Sequence, residues 1–313
     1  MQAAFAIMPI IALVALGYMA RRYRIIAEQN WPGIEQLGFR LLFPALLVTS
    51  IYRSDLSVGA LGPYLLVLAM AFAITGLTVI LIRKPLGITN PRLSSMFQGS
   101  IRFNTLLVLA VAANALGPAA LSDLSVVMAV LIPVNNICSI TMLTLFPPQN
   151  MLEPAARGTR YAMRRISREI LRNPLVLGCV AGLALNLSGI YLSEQILAPL
   201  DWLGQGALAL GLLAVGAGIE IRRLWQNDPV LWIGIALRLA ICPMLFLLIA
   251  ALYPLTDNQM VSGILLAAAP SASSGFILAR QMGGDAELFA DIFTWQTVLS
   301  AITLPLWLIL LTH

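Results

Sequence analysis

Charged side chains are scarce in this chain of 313 residues, since aspartate, glutamate, lysine and arginine together make up 11% of it. Apolar residues make up 59%, whereas soluble domains have about 25% charged and roughly 45–50% apolar residues. The composition excludes an ordinary soluble domain and predicts an all-α polytopic membrane protein. Ten apolar segments approach the length of about 20 residues that a helix needs to cross the hydrocarbon core. The predicted spans are approximately 3–20, 34–52, 60–82, 92–115, 121–145, 173–190, 198–219, 229–253, 259–282 and 286–311.

Histidine and paired cysteines are also scarce, which limits the chemistry that the chain can perform. His313 is the only histidine, so an imidazole base, a histidine metal triad and a serine–histidine dyad are all excluded. The three cysteines lie inside apolar segments without paired spacing, which indicates neither a disulfide framework nor a zinc site. We expect no enzymatic activity, no cofactor and no metal. The alternative is an intramembrane enzyme, because residues 272–275 faintly resemble an intramembrane serine protease loop.

The positive charges concentrate in alternate connections between the predicted spans. Fifteen of the 19 lysines and arginines lie there, six of them between Arg157 and Arg172. Since these residues mark cytoplasmic loops, we expect a multi-pass protein of the inner cell membrane with both termini outside. Positive loops on an anionic leaflet account for the net charge of +5, so no nucleic-acid partner is expected.

The chain divides into two halves of five predicted spans each. Residues 1–146 form the first five-helix repeat, residues 147–172 a basic cytoplasmic linker, and residues 173–313 the second repeat. Because five is an odd number, the second half begins on the opposite face, and the repeat is inverted. Inverted repeats with helices interrupted at corresponding positions are typical of secondary transporters. A channel or a receptor is the alternative, although a channel needs no such pair of interrupted helices.

The fourth span of each half contains polar and helix-breaking residues within a long apolar stretch. These segments are 98–105, Gln-Gly-Ser-Ile-Arg-Phe-Asn-Thr, and 269–275, Ala-Pro-Ser-Ala-Ser-Ser-Gly. Lipid cannot replace a lost backbone hydrogen bond, so irregular backbone at this depth survives only against protein or a wet cavity. Gly99, Pro270 and Gly275 are the predicted helix-break residues. Two interrupted helices that meet near the midplane would direct the positive ends of half-helices at one point, which predicts an anion site.

Seven short motifs lie in order along nearly the whole chain. They are Leu16-Gly17-Tyr18 before Arg21-Arg22, Phe43-Pro44-Ala45-Leu46-Leu47, Arg102-Phe103-Asn104-Thr105, Asn173-Pro174, Ala267-Ala268-Ala269-Pro270-Ser271-Ala272, Gly283-Gly284-Asp285 and Thr303-Leu304-Pro305-Leu306-Trp307. Taken together, they resemble the auxin efflux carrier (PIN-FORMED-like) family, whose bacterial members are carboxylate transporters. The resemblance implies ten helices in a five-plus-five inverted repeat, with broken helices four and nine crossing at the substrate site. It also implies a scaffold of helices 1, 2, 6 and 7 and an elevator-like transport unit of helices 3–5 and 8–10.

Arg102 is the principal candidate for substrate binding. A guanidinium near the bilayer centre costs at least about 2.5–3.5 kcal/mol on insertion scales, so it needs a partner or a wet cavity. Its planar fork suits a carboxylate, which favours an organic acid over a cation or an amine. A clamp on backbone carbonyls freed by the break is the alternative. For Asn104, the resemblance implies contact with substrate, and a cap at the helix break is the alternative.

The other candidates are polar residues near the breaks: Ser271, Ser273, Ser274, Asn135, Asn136, Gln296 and Thr297. The serines could line the anion site with hydroxyl and N–H groups, or they could cap the second half-helix. The amides and the threonine lie on spans that should flank the breaks. For these residues the sequence does not distinguish ligand contact from hydrogen bonds between helices.

Arg238 lies nine residues into the eighth span from Pro229, which is about 13 Å deep at 1.5 Å per residue. Snorkelling cannot recover that depth, so a buried pair or a cavity is implied. Asp291 is its candidate counter-ion and also a candidate proton carrier. Alternatively, Asp291 complements the N-terminal dipole of the tenth span, as Asp123 would for the fifth.

The sequence predicts efflux of a small organic anion, with that anion and the lipid bilayer as partners and a homodimer through the scaffold helices left open. Malate, malonate, another small carboxylate or an indole acid would each satisfy an arginine, an asparagine and two helix ends. The related bile-acid symporter architecture uses a carboxylate beside the second break for sodium, whereas this segment has only serines. Sodium independence is therefore expected, with sodium- or proton-coupled uptake as the alternative.

Overall fold

The computed structural model describes residues 2–53, 58–147, 174–219, 228–272 and 274–311, and every regular element in these ranges is helical. Of the predicted linker, 147–172, only Pro147 is described, and Ser273 lies outside the described residues. The helices are α1 (Gln2–Arg22), α2 (Trp31–Leu37), α3 (Phe43–Tyr52), α4 (Val58–Ile82), α5 (Asn90–Ile101), α6 (Thr105–Ala115), α7 (Gly117–Leu145), α8 (Pro174–Ser188), α9 (Glu194–Ala217), α10 (Pro229–Ala236), α11 (Cys242–Ala250), α12 (Asp257–Ala268), α13 (Ser274–Met282) and α14 (Ala286–Leu311).

Within the described residues, seven helical segments are long and apolar enough to cross a membrane. They are Glu28–Tyr52, Leu61–Ile82, Asn90–Asn114, Ala120–Leu145, Glu194–Ala217, Pro229–Ala250 and Ala286–Leu311. A shorter apolar helix, Leu177–Ser188, coincides with the sixth predicted span. The two other predicted spans correspond to α1 and to the pair α12 and α13. The prediction of a multi-pass helical membrane protein is confirmed, whereas ten spans in a five-plus-five repeat stay a prediction.

Two π-helical turns interrupt long helices just ahead of a proline. Gly38–Leu42 joins α2 to α3, and Leu237–Ile241 joins α10 to α11. In a continuous helix, the ring of a proline clashes with the carbonyl four residues earlier, and that carbonyl has no N–H donor. A π-helical turn ahead of the proline moves this carbonyl aside and relieves the clash. Ahead of Pro243, the carbonyl of Leu239 instead accepts a hydrogen bond from the indole N–H of Trp307 at 2.8 Å.

One group of helices, named here the glycine-packed group, contains α1, α2, α3, α8 and α9. α1 packs along α9, and α3 packs on both α8 and α9. A Cβ atom at Gly17 would overlap the carbonyl oxygen of Leu213, and one at Gly216 would overlap that of Val14. Glycines on both helices therefore bring the backbones of α1 and α9 into contact, as small residues do between membrane-embedded helices.

The remaining helices, α4–α7 and α10–α14, form a second group, named here the polar-core group. α4 packs on α11, α5 on α14, and α12 on both α7 and α14. Completely buried polar side chains lie inside this group, among them Gln98, Arg238 and Gln296. The two groups meet where α6 lies against α1 and α9, where α7 lies against α3 and α8, and where α14 touches α1.

Two members of the polar-core group, α5 and α12, are half-helices of 12 residues each. A threonine precedes each of them, and Thr256 forms a reciprocal capping box with Gln259 at the start of α12. Each half-helix stops at an extended residue, Arg102 with ψ 151° and Ala269 with ψ 143°. Their matched lengths and ends place the two helix interruptions at corresponding points along the two half-helices.

Candidate functional site

The two helix interruptions touch each other. Residues 102–104 separate α5 from α6, and α12 ends at Ala268, ahead of the second interruption. The backbone N–H of Asn104 donates to the carbonyl oxygen of Pro270 at 2.7 Å. This bond brings segments from the two halves of the chain into contact next to the N-terminal end of α6.

Asn104 and Asn135 satisfy the helix ends at the first interruption. The side-chain Oδ1 of Asn104 accepts from the backbone N–H of Leu107 at 3.2 Å, so Asn104 is the N-cap of α6. The side-chain amide of Asn135, on α7, donates to the carbonyl of Ile101 at 3.0 Å, at the C-terminal end of α5. The capping alternative for Asn104 is therefore realised, but its side-chain NH₂ group takes part in none of these bonds.

Arg238 supplies the donor that the second interruption lacks. Pro270 has no N–H, so the carbonyl of Leu266, four residues earlier, loses the partner that a continuous helix would provide. The Nη2 atom of Arg238 donates to that carbonyl at 2.7 Å, and its Nε donates to the carbonyl of Ala269 at 2.6 Å. The side chain is completely buried and lies over the ring of Phe72, 5.1 Å from its centroid. Its positive charge also compensates the partial negative charge at the C-terminal end of the α12 dipole.

The sequence left open a pairing of Arg238 with Asp291, and the structure shows a different arrangement. No ion pair joins these two side chains within the described ranges, because the guanidinium of Arg238 bonds to carbonyl oxygens. Asp291 is buried in the second turn of α14. The N-terminal end of that helix is capped by Asp285, whose Oδ1 accepts from the N–H of Leu288 at 2.9 Å. Asp285 is therefore the acid that caps α14, and a contribution of Asp291 to the N-terminal dipole of that helix stays a prediction.

Gln296 ties both interruptions to the surrounding helices. Its Oε1 accepts from the N–H of Ser271 at 2.9 Å, and its Nε2 donates to the carbonyls of Gly99 at 3.0 Å and Gly234 at 3.2 Å. Because both N–H groups and the carbonyl are bonded to backbone, this buried amide holds the site together. The neighbouring Thr297 donates to a carbonyl of its own helix. Both residues thus follow the alternative of structural hydrogen bonding.

Arg102 is held at the first interruption by α7. Its Nη1 donates to the Oδ1 of Asn136 at 2.8 Å, and the residue is 9% exposed. Asn135 and Asn136 therefore bond to different groups at the same break. Asn135 donates to a carbonyl at the end of α5, and Asn136 accepts from the guanidinium of Arg102. Since a guanidinium carries five N–H donors in a rigid fork, Asn136 orients a group that suits a carboxylate.

The polar residues at the second interruption are described in part. Ser271 is completely buried, and its Oγ has no hydrogen-bond partner in the part of the chain that the structure describes. Ser274 is the first residue of α13, and Ser273 lies outside the described residues. Ser271 therefore presents an unused hydroxyl directly beside Pro270, whose carbonyl binds the other break.

Two of the predicted helix-break residues lie inside helices. Gly99 belongs to α5 and Gly275 to α13, so of the three candidates only Pro270 lies in a non-helical segment. A Cβ atom at Gly99 would lie 2.7 Å from the side chain of Ile292, and one at Gly275 would overlap the ring of Phe289. These glycines allow α5 and α13 to pack closely on α14, which corrects the helix-break role predicted for them from sequence.

The contact of the two interruptions is electropositive. The N-terminal ends of α6 and α13 follow the two breaks, and helix N-termini carry unpaired N–H groups and the positive end of the dipole. Arg102 and Arg238 add full positive charges, and both are buried. A small anion is the ligand that such a combination favours.

Two features of the site were not predicted from sequence. The first is the donor role of Arg238 at the carbonyls of α12, which a proline in the middle of an apolar span could have signalled. The second is the burial of Ser95 and Gln98 on α5 without hydrogen-bond partners for their side-chain hydroxyl and amide. Gln98 is the first residue of the polar segment 98–105, which predicts the first break, and its place there could have indicated a site residue.

The fold and the site together define a polytopic membrane protein with two interrupted helices in contact, which is the architecture of a transporter. A model of the membrane transport protein family matches residues 3–308. The chain is also 23% identical over 309 residues to an uncharacterized transporter of Methanothermobacter thermautotrophicus, with 97% of each chain covered. This chain belongs to that family of membrane transporters, which includes the auxin efflux carriers, so the resemblance seen in its motifs is confirmed.

Proposed function

We propose that this protein is a secondary transporter of a small organic anion, whose carboxylate binds where the two interruptions meet. The bond from Asn104 to Pro270 carries this proposal, because it joins two interrupted helices in a member of a transporter family. Interrupted helices near the membrane midplane are the usual substrate sites of secondary transporters.

The donors around the contact support a carboxylate. Arg102 offers a planar guanidinium that Asn136 orients, and Asn104 offers a side-chain NH₂ group next to the start of α6. Ser271 offers a buried hydroxyl on the opposite segment. A carboxylate has two oxygens that together accept several such hydrogen bonds, and charge-assisted bonds of this kind are the strong ones.

Alternating access by an elevator-like movement belongs to the same proposal, as does the crossing of helices four and nine in a ten-helix, five-plus-five arrangement. Support comes from the location of the site residues, because α5, α6, α7, α12 and α14 all belong to the polar-core group. The side of α6 that meets α9 includes Leu106 beside Gly211. An apolar contact of this kind can slide without breaking hydrogen bonds.

The predicted orientation, with both termini outside the inner membrane, can be measured by cysteine labelling. Cysteines introduced after residue 55 and near residue 257 should react with an impermeant reagent from outside, whereas those near residues 160 and 223 should not. Reversed labelling of either half would contradict the inverted repeat.

We further propose that transport is driven by membrane potential and does not require sodium. A monovalent anion that leaves a cell with a negative interior gains about 2.3 kcal/mol per 100 mV, so export needs no coupled ion. The buried Asp291 supports a second candidate, proton-coupled transport. Flux into proteoliposomes at clamped potential in sodium-free buffer, at two pH values and with Asp291→Asn, separates the two. Absolute dependence on sodium would contradict both.

The central experiment is counterflow of labelled organic acids in proteoliposomes. Saturable accumulation of label against an excess of unlabelled acid supports a carrier, because a channel cannot exchange substrate in this way. The acids should first be selected by thermal shift of the purified protein, with and without sodium. If none of them shifts the unfolding temperature or undergoes counterflow, the proposed function is wrong.

A further inference from the structure

One face of α5, just before the first interruption, carries buried polar atoms that bond to nothing. Gln98 is completely buried, and among the described residues neither its Oε1 nor its Nε2 has a hydrogen-bond partner. Ser95, one turn earlier, is also completely buried with an unpartnered Oγ. Native proteins rarely keep such groups, so a cluster of three unpartnered atoms calls for a function.

The other faces of α5 have packing partners, and these show where Gln98 points. Phe97 and Ile101 lie against Gly76 of α4, while Gly99 lies against Ile292 of α14. Positions 95, 98 and 102 are spaced so that their side chains share another face of the helix. On that face Ser95 and Leu143 of α7 both lie beside Gly284, and Arg102 bonds to Asn136 of α7. Gln98 therefore faces α7, between Ser95 and Arg102.

Other serines of α5 satisfy their hydroxyls within the helix. Ser94 donates to the carbonyls of Asn90 and Pro91 at 3.1 Å each, and Ser100 donates to that of Met96 at 2.8 Å. The same bonds to the preceding turn are open to Ser95, but its Oγ does not make them. The unpartnered hydroxyl of Ser95 is thus not a general property of the serines in α5.

We propose that Gln98, assisted by Ser95, is a substrate-contacting residue that determines specificity by binding a neutral polar group of the transported anion. This rests on the proposed function, in which the carboxylate binds at Arg102. Gln98 precedes Arg102 by four residues, or about 6 Å along the helix. An amide both donates and accepts but carries no charge, so it suits a hydroxyl, an amide or a ring N–H rather than a second carboxylate. The substrate class is a monocarboxylate with such a group about 6 Å from its carboxylate.

The test compares 4-hydroxybutanoate with pentanoate, in which a methyl group replaces the hydroxyl. Thermal shift and counterflow competition should show that the wild-type protein prefers 4-hydroxybutanoate. In Gln98→Leu the ratio of the two affinities should fall roughly 5-fold to 10-fold, the size expected for one hydrogen bond to a neutral group. Ser100→Ala is the matched control on the same helix, because the Ser100 hydroxyl bonds within the helix and the residue lies on the face opposite Gln98, and it should keep the wild-type ratio.

A second measurement separates this role from a structural one. Gln98→Leu without ligand should unfold at the wild-type temperature or above, because it removes two unpartnered polar atoms. Gln296→Leu, which breaks three hydrogen bonds of another buried glutamine, should unfold at a lower temperature. The inference is wrong if the wild-type protein shows no preference between the two acids, or if Gln98→Leu keeps the full preference. Either result leaves the proposed function standing as long as other organic acids undergo counterflow.

Discussion

In the glycine-packed group, α1 and α9 touch backbone to backbone through Gly17 and Gly216, and the ion pairs lie at the surface. Arg53, for example, pairs with Asp201 and Glu194 where water reaches all three side chains. The polar-core group also has a partly exposed ion pair, between Arg92 and Asp228, but its buried side chains reach across to backbone. Arg238 bonds to the carbonyls of Leu266 in α12 and of Ala269 just after it. Gln296 bonds to three backbone groups in two helices and the second break.

The difference follows from where the helices are interrupted. A continuous helix satisfies its own backbone in lipid, so two such helices need only fit together, and small residues allow this. An interrupted helix leaves carbonyls and N–H groups without partners, and other side chains must supply them. In the same membrane, one group of helices therefore depends on surfaces that fit closely, and the other depends on side chains that hydrogen-bond to interrupted backbone.

The largest effect is expected where the backbones touch. Gly216→Ala should destabilise the protein by roughly 3 kcal/mol or prevent folding, because its Cβ would overlap the carbonyl oxygen of Val14 and backbone cannot yield as a side chain can. Gly206→Ala, on the same helix with nothing within 4 Å of its Cβ, should have little effect. Thermal unfolding in detergent measures both, and equal stability of the two variants would contradict the close contact.

The next largest effect is expected at Arg238. Arg238→Met should cost about 2 kcal/mol of stability, roughly 1 kcal/mol for each of the two carbonyls that it leaves without a donor, and it should impair transport because the second interruption loses its support. Arg40→Met is the matched control, since Arg40 also lies in a π-helical turn but is exposed in the glycine-packed group. If both variants unfold at the same temperature, hydrogen bonds from side chains to backbone are not what stabilises the polar-core group.

Substitutions at the meeting point should affect binding more than folding. Arg102→Gln and Asn104→Ala should each weaken binding of the transported acid by about 1–3 kcal/mol, since a charged or polar ligand group loses its partner. Asn104→Ala should also cost about 1 kcal/mol of stability through loss of the α6 N-cap. Isothermal titration with the selected acid measures both variants. Normal binding by folded protein would place the substrate elsewhere.

The smallest effect is expected at the surface ion pairs. Arg53→Ala should change stability by less than about 1 kcal/mol, because exposed pairs gain little in water, and the change should shrink further at high salt. Urea unfolding at two salt concentrations would measure it. A loss as large as that of Arg238→Met would remove the contrast between the two groups.

Much of the architecture could be predicted from sequence, because span length and apolar composition directly reflect the thickness of the membrane. The positions of the interruptions were also predicted, since Pro270 and the polar segment around Asn104 have no other place in an apolar span. The roles of individual polar residues could not be predicted in the same way. Gln296, for instance, was a candidate for substrate contact, but its three hydrogen bonds go to backbone groups distant in sequence.

Local composition by itself determined that this chain is a multi-pass helical protein with two interrupted helices, because the length and hydropathy of a segment decide whether it can cross the membrane as a helix. Tertiary structure decided which polar groups are bonded within the fold and which are left without hydrogen-bond partners among the described residues. Arg238 and Gln296 are occupied by carbonyl and N–H groups of distant segments, whereas Gln98 and the hydroxyl of Ser271 are buried without partners. A hydrogen bond depends on distances of a few tenths of an ångström between parts of the chain that only folding brings together.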